Sequence, residues 1–114
     1  IIADLVYEEI KNRNVLIVAS TDLSHFYPQS VADRLDQEIL NQIQTFSIEN
    51  IYRTEKKGDG FACGLGAVMT SLALCKKLGA DKVKILHHAT SGKETGDYSS
   101  VVGYGAGVIL KNLA

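Results

Sequence analysis

Hydrophobic and polar positions along this chain alternate between two periods. Ile2, Leu5, Val6 and Ile10 fall at helical spacing, with Glu8, Glu9 and Lys11 opposite them. This predicts an amphipathic helix over residues 1–12, packed on a sheet and ended by Asn12–Asn14. A solid apolar run follows, Val15-Leu16-Ile17-Val18, and gives way to small and polar residues from Ala19 to His25. Such a run reads as a strand over residues 15–20, buried on both faces, leading into a polar loop that reaches Pro28. Val31, Leu35, Ile39 and Ile43 then recur every fourth residue, widened by Ala32 and Leu40. They predict a helix from Ser30 to Gln44, capped by Ser30, with Asp33, Arg34, Asp36 and Glu38 on the solvated side.

Residues 45–53 fit either a short helix started by Ser47 or part of a strand, and 54–60 read as a charged, glycine-containing loop. Leu65, Val68, Met69, Leu72 and Ala73 form the next helical face, closed by Lys76, Lys77 and Gly79. Residues 82–88 alternate as a strand, and 89–100 form a polar loop suited to a pocket wall. Residues 101–110 form a last strand, in which Gly103, Gly105 and Gly107 leave one face bare for close approach of a helix or strand. Tyr104, on the other face, is expected in the core. The order of elements gives an α/β fold, a layered mixed sheet with flanking helices, in one domain. Three or four strands would leave an apolar edge exposed, and the chain starts at Ile1 in a helical pattern. It is therefore expected to be the C-terminal portion of a longer protein.

Composition narrows the functional classes. With 12 basic and 13 acidic residues the net charge is −1, which does not suit nucleic acid or a polybasic membrane surface. No apolar run approaches the roughly 18 residues of a membrane span, and no signal-peptide pattern is present. Two cysteines do not make a disulfide framework, so a cytoplasmic location is expected.

Candidate chemistry gathers after the apolar run. His25 can serve as acid, base or metal ligand, and the end of a buried strand is where open α/β sheets place their sites. Asp22 suits organising the loop or orienting His25, and Ser24 suits a hydrogen bond to the loop backbone; no G-x-S-x-G elbow supports a hydrolytic triad. Cys63 stands between a glycine-rich stretch and a helix start, where a thiolate is favoured, whereas Cys75 reads as a packed core residue without a role. His87 and His88 are adjacent on one strand, so at most one faces a site.

Three strings carry a resemblance: ASTDLSHF (residues 19–26), ACG (62–64) and ATSGKETGDYSSVVGYGAG (89–107). In this order and spacing they resemble the C-terminal portion of the Memo family, which includes the B protein of the AmmeMemoRadiSam system. The resemblance implies a fold like the class III extradiol dioxygenases, which hold non-haem iron with two histidines and a carboxylate and use a further histidine as acid/base. In Memo-like proteins a cysteine replaces the carboxylate, and both ligand histidines lie in the N-terminal half. Carried over by motif, Cys63 is the metal ligand of this chain, and His25 is the acid/base residue, flanked by Asp22 and Ser24. The chain departs from the pattern at Phe26, where the family often has tyrosine.

A thiolate ligand suits a redox metal, iron or copper ahead of zinc, with the remaining ligands outside this chain. The resemblance thus implies a non-haem, metal-dependent oxidoreductase acting on a small molecule. One alternative is a non-catalytic module binding a peptide or protein in the same pocket. Another is a metal-free hydrolase or thiol enzyme built on His25 and Cys63.

Overall fold

The computed structural model describes residues 1–112. Five helices and three strands follow one another as α1 (Ile2–Ile10), β1 (His25–Tyr27), α2 (Gln29–Gln44), α3 (Ile48–Lys57), α4 (Leu65–Lys77), β2 (Lys82–Thr90), α5 (Gly92–Thr95) and β3 (Val101–Leu110). The strands form one sheet in the order β1-β3-β2. Both pairings are antiparallel, so the expected mixed sheet is not found among the described residues. Among the same residues, no helix is long and apolar enough to cross a membrane.

The core lies between α2 and the sheet and is extended by α3 and α4. Ile39, Ile51 and Leu72 are among its fully buried side chains. The bare face of β3 serves this packing as its glycines predict. A Cβ on Gly105 would meet Leu40 Cδ2 at 2.9 Å, so α2 can lie this close only over a strand without side chains there. Tyr104 points the other way and is 43% exposed, outside the core expected for it.

Several expectations about elements are corrected. Residues 15–20 pair with no strand, and Leu16 is 89% and Val18 75% exposed. The apolar run has strand propensity but finds no ladder partner among the described residues, and strand structure requires one. The segment 45–60 resolves towards helix. Ser47 Oγ accepts from the Asn50 amide at 3.2 Å, and α3 runs on through Thr54–Lys57, expected as loop, until Gly58 ends it at φ +80°. Ser30 does not cap α2, whose N-cap is Pro28. Helix α1 packs on α4 rather than on the sheet, with Asp4 paired to Lys77 at 2.6 Å.

Two bulges set where side chains point. On β2, Ile85 pairs with Gly107 but His87 with Ala106, so Leu86 is an extra residue. On β1, His25 pairs with Val102 but Tyr27 with Val101, so Phe26 is extra, and it adopts φ +68°. An inserted residue reverses the side-chain alternation beyond it.

Candidate metal centre

Two loops meet at the β1 edge of the sheet. One, residues 20–24, leads into β1; the other, residues 61–64, leads into α4. Their backbones are stitched together. Cys63 N–H donates to Asp22 O at 3.1 Å, and Gly64 N–H donates to Thr21 Oγ1 at 2.7 Å. A Cβ at Gly64 would press on Ser20 O and Thr21 Cβ, so this crossing requires glycine after the cysteine. The Asp22 amide also donates to Cys63 Sγ at 3.3 Å, which fixes the sulfur against the first loop.

This brings together three of the four residues expected at the site. Donor atoms of Asp22, His25 and Cys63 lie within 4.8 Å of one another, as a group that could hold a metal ion. His25 Nε2 is 3.9 Å from Asp22 Oδ2, close enough for attraction to an imidazolium but too long for a hydrogen bond. Sulfur, nitrogen and oxygen donors together suit zinc, iron or copper. Neighbouring ligands of a tetrahedral ion stand roughly 3.5 Å apart, so the trio would have to draw inwards, and the partly exposed side chains of Asp22 and His25 have room to do so. A cavity of about 280 Å³ opens here, lined by Leu23, His25, Tyr27, Glu55, Phe61, Ala62 and Cys63. The Tyr27 and Phe61 rings stack along its wall with centroids 6.3 Å apart. Glu55 Oε2 is buried without a hydrogen-bond partner among the described residues.

Ser24, the fourth expected residue, is placed differently. Its side chain is fully buried, and Oγ bonds to nothing among the described residues, contrary to the expected bond to the loop backbone. Its main chain is what is held. Ser24 O accepts from Gly103 N at 2.8 Å, and Ser24 N–H donates to Asp36 Oδ1 at 3.0 Å. Asp36, expected on the solvated side of α2, is completely buried, and its Oδ2 lies 2.7 Å from His88 Nε2. One signal for this was present in the sequence, since Asp36 stands midway between Ala32 and Leu40, four residues from each, on the apolar stripe. His88 reaches it because the Leu86 bulge carries His88 onto the core face, while His87 stays exposed.

Cys75 is half-buried on α4, and burial pushes its thiol up. The 89–100 segment does not line the cavity beside Cys63. It packs instead on the start of α2, where Gln29 N–H donates to Tyr98 O and Thr90 Oγ1 to Gln29 Oε1.

The sequence comparison decides the family. A profile of the Memo-like protein family matches residues 1–108. The chain belongs to the Memo-like family. Among its Memo-like relatives, a MEMO1 family protein of Methanocaldococcus jannaschii is 39% identical over 98 residues, covering 86% of this chain and 34% of that protein. A MEMO1 family protein of Saccharolobus solfataricus is 38% identical over 106 residues, covering 90% of this chain and 37% of that one. One from Nitrosopumilus maritimus is 39% identical over 105 residues, with 92% and 38% covered. The chain thus spans between a third and two-fifths of the length of these Memo-like relatives.

Proposed function

We propose that this Memo-like chain supplies one side of a metal centre in a dioxygenase-like, metal-dependent oxidoreductase. Cys63 is the metal ligand, and His25 is the acid/base group facing a small-molecule substrate. The observation behind this reading is the convergence of donor atoms of Cys63, His25 and Asp22, with Cys63 and His25 lining one cavity. An ion held there by Cys63 and by ligands from outside the described residues would supply redox or Lewis-acid chemistry. The chain's own residues do the rest. The Asp22 amide orients the sulfur, the Asp22 carboxylate stands 3.9 Å from His25 Nε2 and would attract it when protonated, and Tyr27 and Phe61 offer a flat apolar wall. A thiolate in the ligand set favours iron or copper over zinc for redox work.

Anaerobic titration with Fe(II) and Co(II), followed by admission of oxygen, tests this reading. Cys63→Ser is expected to remove the thiolate-to-cobalt absorption and to weaken metal binding. His25→Gln is expected to retain metal affinity and to lose the pH dependence of oxygen consumption. Loss of metal affinity in His25→Gln to the same degree would make His25 a ligand and overturn its acid/base role. Metal binding with no oxygen consumption under any substrate would replace catalysis by a binding pocket.

A further inference from the structure

We propose that Asp36 and His88 are the positioning pair of this site, fixing through the Ser24 amide the two side chains on either side of it. This rests on the reading of Asp22, His25 and Cys63 as the site. Asp36 lies in the middle of α2 with no exposed surface. Burying a carboxylate costs several kcal/mol unless its oxygens are paired. Here each oxygen has one partner: Oδ1 accepts the Ser24 N–H at 3.0 Å, and Oδ2 meets His88 Nε2 at 2.7 Å.

Three features show that the fold is built around this carboxylate. Gly103 lies so close that any Cβ there would collide with it. The bulge at Leu86 turns His88 towards it. Residues 23 and 24 are clamped on their other side by Gly103, whose carbonyl accepts from Leu23 N–H at 2.8 Å and whose amide donates to Ser24 O at 2.8 Å.

The target of the pair is a backbone amide, with Asp22 two residues before it and His25 directly after. Among the described residues Ser24 Oγ makes no hydrogen bond, so position 24 is used for its main chain. A buried ion pair serving stability alone can usually be replaced by apolar groups of like volume without loss. A positioning pair cannot, because the amide it holds would be released. His88 thereby supports Asp36, and Asp36 supports the loop; neither touches the trio directly.

The test compares wild type with Asp36→Asn, Asp36→Leu and His88→Leu. It reads thermal stability, exchange of the Ser24 amide, the His25 ring resonances and Co(II) affinity. Asp36→Leu should lower thermal stability, because the Ser24 amide and His88 lose their buried partner, and should free the Ser24 amide to exchange and shift the His25 ring signals while Co(II) affinity, set by Cys63, changes by a few-fold at most. Asp36→Asn keeps an acceptor oxygen for Ser24 and should rescue most of this. If Asp36→Leu fails to fold, His88→Leu, which leaves Asp36 in place, is expected to loosen the Ser24 amide in the same direction. Unchanged Ser24 exchange and unchanged His25 signals in a folded Asp36→Leu or His88→Leu protein would overturn the proposal. Should wild type bind no cobalt, the metal reading fails, while amide exchange and ring signals still decide the positioning role.

Discussion

At Gly103 and Phe26 the backbone makes opposite demands on a single residue. Gly103 must have no side chain, because the Asp36 carboxylate fills the space a Cβ would take. Alanine there would overpack a buried site and break the bonds Asp36 makes, so Gly103→Ala is expected to cost at least about 3 kcal/mol in urea unfolding. Phe26 instead carries a large aromatic ring at φ +68°, where L-residues are disfavoured by roughly 1–2 kcal/mol. The residue is 75% exposed, so little packing offsets that strain. Phe26→Asn, an amide side chain that tolerates this region, should stabilise the protein by up to about 1 kcal/mol, and Phe26→Val should destabilise it by a similar amount. Equal unfolding midpoints for the two variants would show that the bulge relaxes without strain.

Helix α2 was legible because its apolar stripe is long and regular, and β3 because its alternating glycines fit only a closely packed strand. The bulges on β1 and β2 were not, since alternation alone gives no sign that Leu86 is skipped, and the skip is what selects His88 over His87. Asp36 was misplaced because a carboxylate on an apolar stripe reads as solvated until its two partners, 12 and 52 residues away in sequence, are known. Of the candidate site, the loop and Cys63 could be singled out as candidates in the sequence, but the stitching of the 20–24 and 61–64 backbones could not. The docking of α1 on α4 was equally hidden, since a stripe does not name what it packs against. That docking carries a prediction in pH. The Lys77 hydrogen bond and charge hold the Asp4 carboxyl below 3.8, and Asp4 holds the Lys77 ammonium above 10.5. The pair's contribution is therefore present between these values. It is lost as pH falls below 3.8 through the lowered Asp4 value, or rises past 10.5 through the raised Lys77 value. Both side chains are exposed, so the contribution is small and salt-sensitive. Asp4→Asn should reduce hydrogen-exchange protection of α1 at pH 7 without changing the global transition, and about 1 M salt should abolish the difference.

This chain, a third to two-fifths the length of its relatives, exposes more surface than its own mass calls for. Its accessible area is 7266 Å², against about 6,100 Å² for a folded monomer of this mass. Its radius of gyration is 15.1 Å, against about 13 Å for a compact chain of this length. Exposed large apolar side chains include Leu5, Leu16 and Val18. Residues 15–19 line a cavity of about 510 Å³ whose other walls include Leu40, Leu72, Val83 and Ile109. An exposed apolar run with no strand partner among the described residues, beside such a groove, is a template for strand pairing with another copy. In solution the 114-residue chain is therefore expected to self-associate through this edge. Sedimentation velocity should show a mass that rises with concentration, and Leu16→Lys with Val18→Lys should return it to monomer. Both side chains are mostly exposed, so the double variant should keep the helical content and unfolding midpoint of the parent. A parent that stays monomeric at high concentration would mean that the run folds back over its own groove. Leu16 and Val18 would then be protected from solvent, and lysine at either position would lower stability instead of changing mass.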